Sequence, residues 1–400
     1  MAISSRTLSL ASLLIQVDRL CDRLPVISTI TNLIDIFQKR VWDCRGWPDM
    51  QANRYYTYLK TKSYARCAIL LIPGVGNLLI AVYDCFKWSQ IGGQFSRAPI
   101  NPENQPIETA SSYRPSEQEN AMAFNARIFQ ETLQACQRGY RTPNQVVVHL
   151  NHEPMLRGTM TYDQIERLPP VEHNHQTLFT VFAEDTFQVL LRRKEEGKNP
   201  VGINMANRYR AGGGVVQGCP AQEEALCRRS NHYLGLKTQA YPLPEMGGAY
   251  CPHVQVFRED GANGFAFMDH PAEVALVAVA AYDLRGISSD RSALGLSFNE
   301  QLDESVLQNS IPYIEGTKSK IRHMLRIMAL KGHTHLVLGA LGCGAFENPP
   351  GLVSRLFVEV FQEAEFNGRF ECVDFAILRL NQKDQNNVDA FTQACAQLNV

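Results

Sequence analysis

From Ala211 to Leu226 the chain reads AGGGVVQGCPAQEEAL: three glycines in a row, seven residues, then Gln222, Glu223 and Glu224. Each glycine loses more backbone entropy on folding than any other residue. Gly212, Gly213 and Gly214 are therefore expected where something must approach the main chain closely. The preceding VGINMAN reads as a buried strand ending at Asn207, and the following AQEEALCRRSNHYLGL reads as a helix. A glycine turn between them would sit at the carboxyl end of a strand, the edge where open α/β sheets bind ligands. Unpaired N–H groups and the positive helix pole suit a phosphate there. Glu223 and Glu224 fall in the first helical turn, where a carboxylate is commonly a cap or a dipole partner. Against that plain reading stands their company: the triple glycine, the Gln222 amide and Asn207 at the strand end. Neighbouring helical residues point about 100° apart, so the two need not face one site.

A second loop, GALGCGAFENPPG, follows the apolar HLVLGAL. Gly339, Gly342 and Gly344 again thin the backbone at a strand's end, and again a helix follows. Two such loops from different strands could clamp a diphosphate. Neither carries the GK[ST] ending of the phosphate loop or the G-x-G-x-x-G of a dinucleotide fold, so ATP hydrolysis and hydride transfer lose support.

The elements that must hold these loops alternate along the chain. QVVVHL, TLFTVFA, VGINMAN, EVALVAVAAY, HLVLGAL and FECVDFAIL read as strands. EDTFQVLLRRKEEGKN, the long stretch from Glu304 to His333, PGLVSRLFVEVFQEAEF and VDAFTQACAQL read as helices. Before them, Ser116-x-x-Glu119 has the form of a capping box for a helix running to Gly139. Apolar strands between amphipathic helices predict a three-layer α/β domain with a largely buried sheet.

The chain has 400 residues, 45% of them hydrophobic and 20% charged, as in an ordinary globular protein. The net charge of -1 offers no basic field for nucleic acid and no acidic excess for disorder. The 11 cysteines form no CxxC pair and their number is odd, which points to reduced thiols in a cytoplasm-like compartment.

Residues 1–94 read as a helical N-terminal region. Its first segment, MAISSRTLSLASLLIQVDRL, is read as an amphipathic helix rather than a cleaved leader, because charged residues follow closely without a cleavage site. AILLIPGVGNLLIAVY, 68–83, is 16 uncharged residues, short of the roughly 20 that span a bilayer. Two readings stand: a buried helical hairpin, or contact with a membrane surface or partner, with Lys60, Lys62 and Arg66 as basic flank. Residues 95–113 are Pro-rich and read as a linker, and the catalytic domain is expected over 114–400.

NMANRYRAGGGVVQGCPAQEEALCRRSNHY resembles the signature of the poly(ADP-ribose) glycohydrolases, and LCRRSNHY resembles the microbial type. The similarity continues in YPLPEMGGAYCPHVQVFRED, in GALGCGAFENPPG and in the leading helix NARIFQETLQACQRGYRTPNQ. It runs from about Arg114 to the C-terminus. The resemblance implies a macrodomain-like fold: a mixed central sheet between helices, with ADP-ribose across the strand ends. It implies hydrolysis of ribose–ribose O-glycosidic bonds in poly(ADP-ribose), with no cofactor and no metal. Glu224 matches the catalytic carboxylate, Glu223 the neighbour that positions the distal ribose, and Asn207 an Asn that contacts it. Gly212, Gly213, Gly214, Val215 and Gln222 match the first substrate loop. Gly342, Cys343, Gly344, Ala345 and Phe346 match the second. Ala211 departs from the Pro that many microbial relatives place there. The implied partners are ADP-ribose polymer and poly(ADP-ribosyl)ated proteins, without direct nucleic-acid binding. Two other functions stay open: a reader that binds ADP-ribose without cleaving it, and a mono-ADP-ribosyl hydrolase. Secretion into another cell is a further open point.

His149-x-x-His152 and His173-x-His175 lack a cysteine partner and read as loop histidines rather than zinc ligands. Cys219 reads as a small loop filler, since no base is visible beside it.

Overall fold

A computed structural model describes residues 105–399 apart from 172–174, 287 and 298–301. The expectations for the N-terminal helices, for the apolar segment 68–83 and for His173 lie outside the described residues. The described residues belong to the second of two units of the chain, Pro99–Val400.

Three short strands, β1 (Ile107–Glu108), β2 (Tyr140–Arg141) and β3 (Val147–Val148), form a small sheet. The main sheet has seven: β4 (Met160–Tyr162), β5 (Leu178–Phe182), β6 (Pro200–Met205), β7 (Gly248–Arg258), β8 (Phe267–Val279), β9 (His335–Leu338) and β10 (Cys372–Ala376). Their order is β4-β7-β8-β6-β9-β10-β5. β8, β6, β9, β10 and β5 run parallel, while β4 and β8 flank β7 antiparallel. The sheet is therefore mixed, as the resemblance implies.

The helices are α1 (Ala121–Arg138), α2 (Glu153–Gly158), α3 (Thr186–Glu195), α4 (Gln222–Arg229), α5 (His232–Lys237), α6 (Ser289–Ala293), α7 (Glu304–Leu307), α8 (Ile311–Leu330), α9 (Pro350–Phe361) and α10 (Gln382–Leu398). Alternation along the strands sorts them into two layers. Val201, Ile203, Val277, Val279, Leu336, Leu338, Val373 and Phe375 pack in one core with apolar residues of α8, α9 and α10. Leu276, Ala278 and Val337, each one position off, pack in a second core with α1, α3 and α4. Both faces are covered at the centre of the sheet, so β6, β9, β10 and the second half of β8 are buried and mostly apolar.

Several boundaries differ from the sequence reading, each for a local reason. β1 pairs with β2, and the Tyr113 N–H donates to Gly264 O at 2.7 Å, so the fold takes up residues that read as linker. α1 is capped by Asn120, whose side chain accepts from Ala123 N, while Ser116 and Glu119 close a turn before it. The expected single helix after Ala221 is two. Ser230 is extended and bridges Val256, and Asn231 accepts from Gln255 N at 2.9 Å, so both compete with the helical ladder. The stretch after Glu304 also breaks, because Ser310 caps a new helix with Pro312 in its first turn. β7 was not expected as a strand: Pro252 interrupts the pattern, and a bulge between Cys251 and Val254 carries His253 at φ +55°.

Candidate active site

A cavity of about 860 Å³ opens at the carboxyl ends of β6, β9 and β10. That volume suits a ligand of dinucleotide size. Gly213 and Gly214 line it from the first loop, and Gly342, Gly344, Ala345 and Phe346 from the second. Asn207, Gln222, Glu223 and Glu224 line it as well. Ile377, Leu378 and Leu380 follow β10 along another wall. Asp185 and Asn381 also border it, and each closes a capping box, at the start of α3 and α10 respectively. Those caps fix where the two helices begin, and so fix the wall.

The first loop is shaped by the carboxylates. Gly212 and Gly213 have φ of +69° and +55°, the left-handed region that glycine tolerates. A Cβ on Gly213 would lie 2.5 Å from Glu224 Oε1 and 3.0 Å from Glu223 Oε2. One on Gly214 would lie 2.5 Å from Cys219 Sγ. What comes close to this backbone is thus the acid pair itself, together with a thiol that packs on the loop. Gly212 stands against the Tyr233 ring.

The two acids are held differently. Glu223 is 2% exposed, and both its oxygens are engaged. Oε2 accepts from Asn207 N at 2.6 Å, and Oε1 accepts from Asn204 Nδ2 at 3.4 Å. Burial pushes the Glu223 pKa up to about 8; the Glu224 charge adds to this and the Asn207 N–H opposes it. Glu223 therefore keeps its proton at neutral pH. Behind it, Asn204 Nδ2 lies 3.0 Å from Nε2 of His232, whose pKa burial pushes down to about 3. Glu224 is 7% exposed, and its Oε1 accepts from Gly214 N at 2.8 Å. Among the described residues no group donates to Glu224 Oε2.

Gln222 has its amide committed to the protein. Nε2 donates to Ile203 O at 2.8 Å and Thr186 Oγ1 at 3.2 Å, and Oε1 accepts from Met205 N at 2.9 Å. It extends the hydrogen bonding of β6 and thereby fixes the start of α4. Asn207 Oδ1 accepts from Tyr209 N and Arg210 N at 2.9 and 3.0 Å, so Asn207 also organises the turn that leads to the glycines.

The second loop hangs on Asn348, a residue that sequence reasoning missed. Its Nδ2 donates to Tyr282 O at 2.8 Å, Gly342 O at 3.1 Å and Phe346 O at 3.2 Å. Its Oδ1 accepts from Tyr313 Oη at 2.8 Å. Gly342, at φ +77°, leaves room for it: a Cβ there would lie 2.6 Å from Asn348 Nδ2. The Arg285 guanidinium sits 5.4 Å from the Phe346 ring centroid, which steadies that ring at the cavity wall.

Three expected site residues are placed off the wall. Gly212 faces Tyr233, Val215 is in the core, and Cys343 is buried, its thiol pKa raised by that burial. Cys219 does line the cavity, and its carbonyl accepts from Arg228 Nη1 at 2.6 Å. His149 is exposed, whereas His152 is buried with Nε2 2.8 Å from Cys136 O, so the pair does not converge. Among the described residues no three His, Cys, Asp or Glu groups are placed to hold a metal ion.

Residues 129–259 match the family model of the microbial-type poly(ADP-ribose) glycohydrolase catalytic domain. No curated protein matches the chain. Among solved structures, the poly(ADP-ribose) glycohydrolase of Thermomonospora curvata is 26% identical, covering 68% of this chain and 98% of that one, with a TM-score of 0.54. The same enzyme bound to the inhibitor ADP-HPD is 25% identical over 67% of this chain and 98% of that one, with a TM-score of 0.53. Poly(ADP-ribose) glycohydrolase of Deinococcus radiodurans in complex with ADP-ribose is 25% identical over 63% of this chain and all 100% of that one, at 0.50. The triple glycine and the paired glutamates at the strand ends of the mixed sheet lie within the segment, residues 129–259, that matches the microbial-type poly(ADP-ribose) glycohydrolase catalytic domain.

Proposed function

We infer that this chain hydrolyses ribose–ribose O-glycosidic bonds in poly(ADP-ribose) and releases ADP-ribose, with Glu224 as general acid and base. The observation that carries the assignment is the asymmetry of the pair. Glu223 has both oxygens tied to the protein, while Glu224 has one tied and one uncommitted at the cavity. A group that exchanges a proton with substrate needs such an oxygen.

In the mechanism, Glu224 donates a proton to the departing ribose 2′ oxygen while positive charge builds on the anomeric carbon of the bound unit. The substrate's own diphosphate, between the two glycine loops, stabilises that charge. Glu224, now a carboxylate, takes a proton from the attacking water. One residue serves in turn as acid and base, unlike glycosidases with two separated carboxylates. Glu223 keeps its proton and so adds no second negative charge beside the diphosphate. It positions the distal ribose, with Asn207 beside it. ADP-ribose polymer and poly(ADP-ribosyl)ated proteins are the proposed partners. The bound inhibitor and ADP-ribose in the similar structures support that reading. A reducing, cytoplasm-like compartment and an N-terminal membrane or partner contact remain part of the proposal.

The test is release of ADP-ribose from automodified protein carrying polymer, with wild type beside Glu224→Ala and mono-ADP-ribosylated protein in parallel. The expected loss in the variant is about 10²–10⁴-fold, the usual scale of acid–base catalysis. Binding of ADP-ribose with polymer and monomer both left intact by the wild type would make the protein a reader.

A further inference from the structure

The turn between Asn207 and Gly212 carries Arg208, Tyr209 and Arg210, and the reaction above uses none of their side chains. It is a fixed element. Asn207 Oδ1 holds the N–H groups of Tyr209 and Arg210, and Arg210 O accepts from Gly213 N at 3.1 Å. Arg210 is exposed and lines the cavity. Among the described residues its guanidinium has no hydrogen-bond, ion-pair or ring partner. The other guanidinium on the wall is committed: Arg285 donates to Asp283 at 2.8 and 2.5 Å and lies over Phe346. Arg210 is thus the uncommitted cation of a wall that otherwise carries Asp185, Glu223, Glu224 and Asp384.

Beside it, Tyr209 is 50% exposed, with its hydroxyl 3.4 Å from Ser289 Oγ. The Arg208 guanidinium lies 5.8 Å from its ring centroid, and Arg208 is itself anchored by Leu243 O at 3.3 Å and Glu245 at 3.5 Å. The ring is held at its edge and its back while half of it meets solvent.

We propose that Tyr209 and Arg210 form a subsite for the ADP-ribose unit on the leaving side of the scissile bond. This rests on the polymer reading above. Every unit of the polymer carries a diphosphate and an adenine. A chain with one unit in the cavity leaves at the end where the bond is cut, beside Glu224 and Asn207, and this turn grows from Asn207. Arg210 takes the diphosphate of the departing unit, and Tyr209 stacks on its base. An arginine next to an exposed aromatic is the chemistry that holds a flexible polyanion of nucleotides.

Glu224→Gln provides a background in which polymer and ADP-ribose can both be titrated. Adding Arg210→Ala is expected to weaken polymer binding about ten-fold, the scale of one charged contact. It should also lower the salt dependence of polymer binding, while ADP-ribose affinity moves less than two-fold. Arg210→Lys should recover part of the loss. Tyr209→Ala is expected to cost polymer about five- to ten-fold, with Tyr209→Phe close to wild type. ADP-ribose affinity also reports that each variant is folded. Equal weakening of polymer and ADP-ribose would assign Arg210 to the unit inside the cavity and overturn the subsite. Unchanged polymer binding would overturn it too. Hydrolysis of polymer by the wild type, run in parallel, separates the two ideas: a wild type that cleaves while the variants bind normally removes the subsite alone, and one that cannot cleave removes the glycohydrolase reading.

Discussion

The two glycine loops look alike in sequence and do different work. In the first, Gly213 makes room for the paired acids: the Glu223 and Glu224 carboxylates lie where its Cβ would be. In the second, Gly342 makes room for a side chain that only holds: Asn348 gathers three carbonyls and one hydroxyl around it. A glycine at a strand end therefore does not by itself mark a phosphate cradle. The neighbour that occupies the space of its missing Cβ tells which job it has.

Substitutions separate the two jobs. Gly213→Ala forces a side chain into the left-handed region and against the Glu224 oxygen, so the paired carboxylates must move. The expected result is loss of activity of about 100-fold or more, larger than any loss of ADP-ribose affinity. A variant that kept kcat and lost only affinity would erase the distinction between the loops. Asn348→Ala should act in the opposite sense. It removes a buried hub and leaves the Tyr313 hydroxyl and the Tyr282 carbonyl without that partner, while Gly342 O and Phe346 O keep the Asn348 and Leu284 N–H groups, at a cost of about 2–4 kcal/mol. Chemical denaturation would read that loss, and KM should rise more than kcat falls.

A third test concerns the proton. The folded pKa of Glu223, about 8, lies above the ordinary 4.5. The stability tied to its protonated form is then fully present below pH 4.5 and is lost as pH rises through about 8. Glu223→Gln, which cannot ionise, should gain on wild type at pH 9 by an amount on the order of a few kcal/mol, and should show no gain at pH 4. Melting temperatures of both proteins across that range check it. The kcat/KM of wild type should fall along the same alkaline limb, because a second charge then appears beside the diphosphate. The smallest effect belongs to Gly344. A Cβ there meets nothing within 4 Å. Gly344→Ala should change stability by less than about 0.5 kcal/mol, and a large loss of ADP-ribose affinity would show that the ligand itself needs that space.

What could be read from residues alone follows from locality. β6, β9 and β10 are short apolar runs buried on both faces, so their pattern announces them, and the glycines and glutamates that follow are adjacent in the chain. β7 is hidden because Pro252 and the bulge at His253 break its alternation, although the seven strands of the main sheet can only be ordered once β7 joins β8 to the short β4. The splitting of the helix after Arg229 likewise depends on a bridge from Ser230 to Val256, a residue on another element.

The same division runs through the site. Residue types and spacing drew attention to Gly212 to Gly214, Glu223, Glu224 and the second loop, and the family resemblance added the roles expected of them. Only the folded chain decided which acid is held by both oxygens, why Gly213 must be glycine, and that Val215 and Cys343 turn away from the cavity. Those facts depend on contacts such as Asn348 to Tyr282, 66 positions apart, and Asn204 to His232, 28 apart. A hydrogen bond is set by distance and direction in space, and no local pattern records which distant donor the packing of a sheet will bring to a given oxygen.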